Sequence, residues 1–208
     1  MLSHAPLDDG CARITTIRLI PHLPRLRRLT AVDIFLTDDE EQTDLTFVQD
    51  VPGLRHLSVP VTGVVDVSPL KATTPHSLFL YGAVQLENLD QLPPIEHTLG
   101  LFQVEPWHTL EFLRGRELVT LSLSEPAPDC DMSPIADMAL LRRLGCHGWV
   151  DLSVVPAPPR LETIEVDDWG PIDIEPLRNR SLLLELRRRN LHVGIEQLGP
   201  DVKIRWRN

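Results

Sequence analysis

Apolar residues recur along this chain at a nearly constant interval, in pairs separated by one position. The first members of the pairs are Leu57, Leu78, Leu99, Leu121, Leu144, Ile164, Leu184 and Ile204. Successive pairs are 20 to 23 residues apart, and the residue two positions further on is apolar each time. A fixed interval in this range is typical of a solenoid, in which each coil buries its apolar face against its neighbours.

Within one interval the pattern predicts a short strand followed by a helical turn. In Leu54–Val59 the apolar positions alternate with polar ones toward the end, which indicates a strand with one face in the core. Asp66–Leu70 follows with the sequence Asp-Val-Ser-Pro-Leu. Here Asp or Ser can accept from unpaired amides, and proline fits a first turn. Asp173–Leu177 repeats the segment as Asp-Ile-Glu-Pro-Leu, so we expect parallel strands joined by short helical turns.

These segments, with variants at Asp44–Val48, Asp131–Ile135 and Asp151–Val155, resemble the leucine-rich repeat family. The resemblance is to its bacterial branch with short Asp-x-Ser-Pro-Leu arms, and it covers about residues 26–206. It implies an α/β fold: a right-handed solenoid with a parallel β-sheet on the concave face, and short helical turns and irregular arms on the convex face. The repeats also look like the C-terminal sensor regions of bacterial NACHT-type signalling ATPases.

The repeats predict one continuous domain. We expect residues 1–25 to form an N-terminal capping segment, with a strand within Ile14–Leu19. Residues 26–208 form the repeat domain, which ends in a terminal strand at Val202–Trp206. The step from a first core residue at Leu29 to Leu57 is longer than the other intervals.

Two departures from the regular pattern are expected to change the local structure. The polar segment Thr37–Thr43 accounts for the long first step and is predicted to project as a loop. The family usually has asparagine at the ninth position of the repeat, where these side chains form a hydrogen-bonded ladder. This chain has other residues there, namely Thr62, Ala83, Val104, Pro126, Trp149, Trp169 and Arg189. The backbone N–H and C=O groups of the turns must therefore form hydrogen bonds with other backbone groups and with water.

Composition and charge narrow the classes of partner. The 208 residues carry a net charge of −10, which disfavours nucleic acid or an anionic membrane as the main partner. The three cysteines show no CxxC spacing, so neither a disulfide framework nor a zinc site is indicated. No apolar run reaches the ~18 residues that cross a bilayer, and no leader is recognisable. We expect a cytoplasmic protein.

No pattern of catalytic residues is found in the sequence. His56, His76 and His97 lie near the same repeat position, but their neighbours in register are poor metal ligands, so we expect no metal site. Cys146 and His147 are consecutive in a strand and point to opposite faces, which prevents a nucleophile–base pair. Phosphate loops and hydrolase motifs are missing. We predict a protein without catalytic residues or cofactor.

The strand positions that point away from the core supply the candidate binding residues. Phe79, Tyr81 and Phe102 form an aromatic cluster on two adjacent strands, and exposed aromatic clusters often mark interfaces. The alternative is that these rings lie flat on the sheet or contact a terminal cap. Further along, the candidates are His147 and an acidic strip, which comprises Glu165, Asp167 and Glu185. Trp149 and Trp169 are expected to stack along one edge, where they fill the place of the asparagine ladder.

Two functional hypotheses follow. The first is a non-catalytic module that recognises a protein partner through its concave face, in the manner of the sensor part of a signalling or defence NTPase. The second is a structural role, in which the solenoid ends or the Trp149–Trp169 edge mediate self-association. The sequence does not name the partner.

Overall fold

The computed structural model of the chain describes residues 11–14, 30–34, 44–51, 53–148, 152–167, 172–187 and 192–207. It divides into two compact units, Met1–Glu105 and Pro106–Asn208. We call them unit 1 and unit 2. The single continuous domain expected from the repeats, with its capping segment, stays a prediction.

Unit 1 is built from short parallel strands that follow one another along the chain. Its strands are β1 (Cys11–Ile14), β2 (Ala31–Ile34), β3 (His56–Pro60), β4 (Val64–Asp66), β5 (Ser77–Ala83), β6 (Gln85–Glu87) and β7 (Thr98–Gln103). Strands β1, β2, β3, β5 and β7 pair in that order, and β4 pairs separately with β6. Short 3-10 helices lie at Thr46–Asp50, Ser68–Ala72 and Leu89–Gln91.

The periodic leucines of unit 1 lie side by side. Leu57 pairs with Leu78, which pairs with Leu99, and all three are buried. The core residue in register with Leu57 is Val32, where the sequence had suggested Leu29, because Val32 pairs with Leu57 and is buried. The β-branched residues Val32 and Ile34 alternate with Ala31 and Asp33, a pattern that favours a strand with one buried face.

The N-terminal strand also differs from the expected one. Strand β1 ends at Ile14, where a strand within Ile14–Leu19 was expected. Ile14 pairs with Ile34, 20 residues further on, so β1 occupies one regular repeat before β2. The remainder of the expected strand lies outside the described residues, as does the predicted loop at Thr37–Thr43.

Unit 2 repeats the same arrangement. Its strands are β8 (Thr120–Ser124), β9 (Arg143–His147), β10 (Thr163–Asp167), β11 (Ile172–Asp173), β12 (Leu182–Arg187), β13 (His192–Val193) and β14 (Val202–Arg207). Strands β8, β9, β10, β12 and β14 pair in parallel in that order, and β11 pairs with β13. The periodic core residues are again aligned, from Leu121 to Ile204. A one-turn helix, α1, spans Ser133–Ala136, and 3-10 helices span Glu111–Leu113, Leu152–Val154, Glu175–Leu177 and Ile195–Gln197.

The aspartate-containing arms form the turns that the sequence predicts. The Oδ1 atom of Asp66 accepts the backbone N–H of Ser68 at 2.8 Å, and Oδ2 accepts its hydroxyl at 2.7 Å. Asp131 holds Ser133 in the same way, at 2.9 and 2.8 Å. A side chain that bonds to the backbone two residues ahead stabilises a turn. The Ser68 turn leads into the 3-10 helix, whose Leu70 is buried in the core.

Backbone groups and one glutamine stand in for the missing asparagine ladder in unit 1. The amide of Val104 donates to the carbonyl of Ala83 at 2.8 Å. Gln103 accepts the amide of Leu86 at 3.1 Å and donates to the carbonyl of Glu105 at 2.8 Å. The parallel register, the buried leucines and the short helical turns confirm the predicted leucine-rich repeat fold.

Among the described residues, none of the helices has the length and apolar character that crossing a membrane requires.

Candidate functional site

The aromatic cluster of unit 1 lies on the face of the sheet that points away from the core, which we call the solvent face. Phe79 pairs with Gly100, and the ring of Phe79 lies over this glycine. A Cβ atom at position 100 would be 2.3 Å from Cδ1 of Phe79 and 3.2 Å from Cε2 of Phe102. The absence of a side chain at Gly100 therefore provides the space in which the two phenylalanine rings approach each other.

Tyr81 is held at both ends. A β-bulge follows it at Gly82, whose φ of 93° returns the chain to the core at Ala83. The phenol donates to the backbone carbonyl of Ile34 at 2.9 Å. Burial raises the pKa of Tyr81, the hydroxyl of Ser58 opposes this shift through a hydrogen bond, and the negative charge of Asp33 adds to it. The three aromatic side chains are half-buried, so they combine fixed positions with accessible surface.

Histidines line the same unit in two different settings. His56 lies on the solvent face, where its Nε2 is 3.1 Å from Oδ1 of Asp33 and its ring is 6.1 Å from that of Phe79. His76 and His97 stack on each other with ring centroids 5.0 Å apart. The described residues contain no group of three or more His, Cys, Asp or Glu side chains that could hold a metal ion.

On the solvent face of unit 2, carboxylates and guanidiniums form an ion-pair network. Arg143 contacts Glu165 at 3.3 Å and also contacts Glu185. Arg205 contacts Glu185 at 2.8 Å. Arg207 contacts Glu165 and lies 4.0 Å from Glu185. The buried charge of Glu185 is compensated by these cations, as a buried carboxylate requires.

The predicted acidic strip therefore needs a correction. Glu165, Asp167 and Glu185 do lie on the solvent face, but they do not present a free negative surface. Glu185 is buried, Glu165 is paired with arginines, and Asp167 lies 3.5 Å from Nδ1 of His147. The expectation of exposed negative charge failed because arginines on the neighbouring strands cover Glu165 and Glu185, and the ring of His147 lies beside Asp167.

Sequence reasoning missed the arginines that cover these carboxylates. The signal was present: extending the register by one coil from Glu185 reaches Arg205, and from Arg187 it reaches Arg207.

Trp107 was also missed. It is buried, and its indole N–H donates to Oγ of Ser124 at 3.1 Å. Trp149 and Trp169, the candidate edge residues, lie outside the described residues.

The geometry of Cys146 and His147 agrees with the prediction that they cannot act together. Cys146 is buried in the core, whereas His147 is half-exposed on the other face. Burial raises the pKa of the Cys146 thiol far above its ordinary value, so the reactive thiolate is disfavoured.

The sequence matches no protein-family model and no curated protein. Among solved structures, an internalin C2 from Listeria monocytogenes str. 4b F2365 is similar at 17% sequence identity. The alignment covers 95% of this chain and 80% of that chain, with a TM-score of 0.39. A TM-score this low carries no argument, so the fold assignment rests on the strand register and core of this chain.

Proposed function

We propose that this protein is a non-catalytic recognition module that binds a protein partner through the solvent face of its sheet. The observation that carries the proposal is the aromatic cluster Phe79, Tyr81 and Phe102. Its rings are half-buried and held by contacts from below, on the face that the core does not use. Aromatic anchors of this kind dominate interface energies, and rigid anchors lose little entropy on binding.

The test compares two substitutions at one position. Tyr81→Ala removes the anchor, whereas Tyr81→Phe keeps the ring and removes only the hydroxyl, with its hydrogen bonds to Ile34 and Ser58. We expect Tyr81→Ala to weaken binding of the native partner by at least about 1 kcal/mol, with a smaller effect for Tyr81→Phe. The partner is first isolated by affinity purification from the source organism, and its affinity is then measured by isothermal titration calorimetry.

Thermal unfolding of each variant provides the control for folding. If folded Tyr81→Ala and folded Phe102→Ala both bind the partner at the wild-type affinity, the proposal is wrong.

Self-association is the alternative, and the last strand of unit 2 favours it. Trp206 in β14 is 40% exposed, although it continues the row of core positions that includes Leu186. A strand edge with exposed apolar side chains can pair with another chain. Sedimentation velocity over a concentration series tests this role, because Trp206→Ala is then expected to shift an oligomer toward the monomer. The Trp149–Trp169 edge remains part of this alternative.

The role as the sensor part of a signalling or defence NTPase is a narrower form of the first hypothesis. It is supported by the style of the repeats, with their Asp-x-Ser-Pro-Leu arms, and it assumes a bacterial, cytoplasmic protein. Sequencing the gene and its neighbours provides the test. A nucleotide-binding module in the same or the adjacent reading frame is the expected result, and a neighbourhood without one contradicts the role.

A further inference from the structure

The charged side chains on the solvent face of unit 2 form one connected group. The parallel register places Glu165 beside Glu185, and Glu185 beside Arg205. Arg143 reaches the two glutamates from β9, and Arg207 reaches them from β14. We call this group the guanidinium surface: the side chains of Arg143, Arg205 and Arg207, together with the two glutamates that they cover.

The exposed fractions of the side chains show which charged groups of this surface a partner can contact. The side chain of Glu185 is 3% exposed and that of Glu165 is 18% exposed. The side chains of Arg143, Arg205 and Arg207 are 38%, 64% and 46% exposed. The carboxylates therefore lie beneath the guanidiniums, and the accessible groups are cationic. A partner can hydrogen-bond directly only to the exposed groups, which here are the guanidiniums.

The glutamates hold the guanidiniums in place while leaving them able to bind. Arg143 contacts both glutamates through Nη2, whereas Arg205 and Arg207 make their contacts through Nη1. A guanidinium carries five N–H donors, and its planar fork binds a carboxylate with two parallel hydrogen bonds. Contacts through one nitrogen leave donors for a second carboxylate, and the buried anchor lowers the entropy cost of forming that contact.

The balance of charge identifies the occupant. Lys203 is exposed and lies on the same face of β14 as Arg205 and Arg207. Together with Arg143, four cations therefore face three largely covered carboxylates on these strands, those of Glu165, Asp167 and Glu185. We propose that the guanidinium surface is a docking site for a segment of a protein partner that is rich in Asp and Glu. This inference rests on the proposed function and names the chemistry of the partner. A carboxylate-rich segment is favoured over nucleic acid because the three guanidiniums already pair with protein carboxylates, and the guanidinium surface holds no Phe, Tyr or Trp ring on which bases could stack.

The experiment measures binding of a defined acidic probe to the full chain. The probe is a fluorescein-labelled peptide of ten glutamates, with the matching lysine peptide as a control, followed by fluorescence anisotropy. Arg205→Gln is expected to raise Kd at least about threefold, because one exposed guanidinium is lost. Glu185 keeps its contacts to Arg143 and Arg207 in this variant, so the fold is retained.

Two further variants separate binding from folding. Glu185→Gln removes a buried negative charge and is expected to lower Kd, opposite to the effect of Arg205→Gln. Arg178→Gln is the matched control, because Arg178 is 54% exposed and paired with Glu175 at 2.8 Å, outside the sheet. It is expected to leave Kd unchanged. Raising NaCl from ~50 to ~300 mM should weaken binding.

Several results would overturn the inference. These are no binding of the glutamate peptide at ~50 mM NaCl, an Arg178→Gln effect as large as that of Arg205→Gln, or tighter binding of a single-stranded oligouridine than of the peptide. The aromatic cluster lies in unit 1 and the guanidinium surface in unit 2, so substitutions in each can be tested separately for their effect on binding of the native partner. If the peptide does not bind but Tyr81→Ala weakens the native partner, only the acidic-segment inference fails.

Discussion

Replacing Gly100 with alanine tests the packing beneath the aromatic cluster. Gly100 is buried in β7, and its backbone is not in the left-handed region, so alanine is compatible with the local conformation. The new Cβ atom would lie 2.3 Å from Cδ1 and 2.8 Å from Cε1 of Phe79. Carbon atoms make favourable contacts at ~3.5–4.0 Å, so the ring must move by about 1 Å or more.

The expected magnitude is the difference between two opposing effects. Forcing extra atoms into a packed site typically costs ~1–3 kcal/mol. Replacing a strand glycine with alanine returns ~0.5–1 kcal/mol, because glycine loses more conformational entropy on folding. Because an approach of 2.3 Å is a severe overlap, we take the upper part of the strain range, ~2–3 kcal/mol, and expect Gly100→Ala to lower the free energy of unfolding by about 1–2.5 kcal/mol.

A double-mutant cycle with Phe79→Ala isolates the contact. In the Phe79→Ala background the nearest remaining neighbour of a Cβ at position 100 is Cε2 of Phe102, at 3.2 Å. Gly100→Ala is then expected to be neutral or stabilising by up to about 0.5 kcal/mol, which gives a coupling energy of about 1–3 kcal/mol.

The assay is equilibrium urea unfolding of the four proteins, followed by tryptophan fluorescence and by far-ultraviolet circular dichroism. Coincident transitions from the two probes and an unchanged m value license the comparison of free energies. The reasoning is refuted if Gly100→Ala is as stable as the wild type, or if its effect is the same in both backgrounds. Either result would mean that the Phe79 ring does not rest on Gly100.

The remaining predictions concern the core and the turns. Leu101→Ala is expected to cost about 2–5 kcal/mol, because its side chain is fully buried, whereas Ser122→Ala on the solvent face should cost less than about 0.5 kcal/mol; equal losses in urea unfolding would contradict the assignment of faces. Asp66→Ala should cost about 1 kcal/mol through loss of its turn hydrogen bonds. Asn88→Gly loses the hydrogen bond to Asp66 but should cost less, because glycine adopts the left-handed conformation of Asn88 (φ 59°) without strain. The hydrogen bond from the Asn88 side chain, together with those from Ser68, lowers the pKa of Asp66. The contribution of ionised Asp66 to stability is therefore present above about pH 4 and is lost as the pH falls through the lowered pKa. The Asp66→Asn variant should show a weaker acid dependence in thermal unfolding.

The sequence by itself determined the repeat and the core of this protein. The spacing from Leu57 to Ile204 predicted which residues lie side by side, and they pair in that register within each unit. The Asp-x-Ser arms were also predictable, because the side chain of Asp66 bonds only two residues ahead. Both features depend on local chemistry or on a strict period, and a sequence displays both directly.

The residue that pairs with Leu57 on the preceding strand was harder to predict from the sequence. Leu29 and Val32 are both apolar and only three residues apart, so composition does not decide which of them is in register with Leu57. The pairing of Val32 with Leu57 decides it. Register is a property of two strands, and where the interval between them is irregular the sequence of one strand does not determine it.

The properties of the solvent face were decided only by the tertiary structure. Glu185 is an acidic residue on an outward position, yet Arg143 and Arg205 cover it from strands that lie 42 and 20 residues away in the chain. Phe79 likewise rests on Gly100 of the neighbouring coil. Alternation along a strand determines which way a side chain points, whereas its burial, its ion pairs and the sign of the surface depend on neighbours that only the assembled sheet brings together.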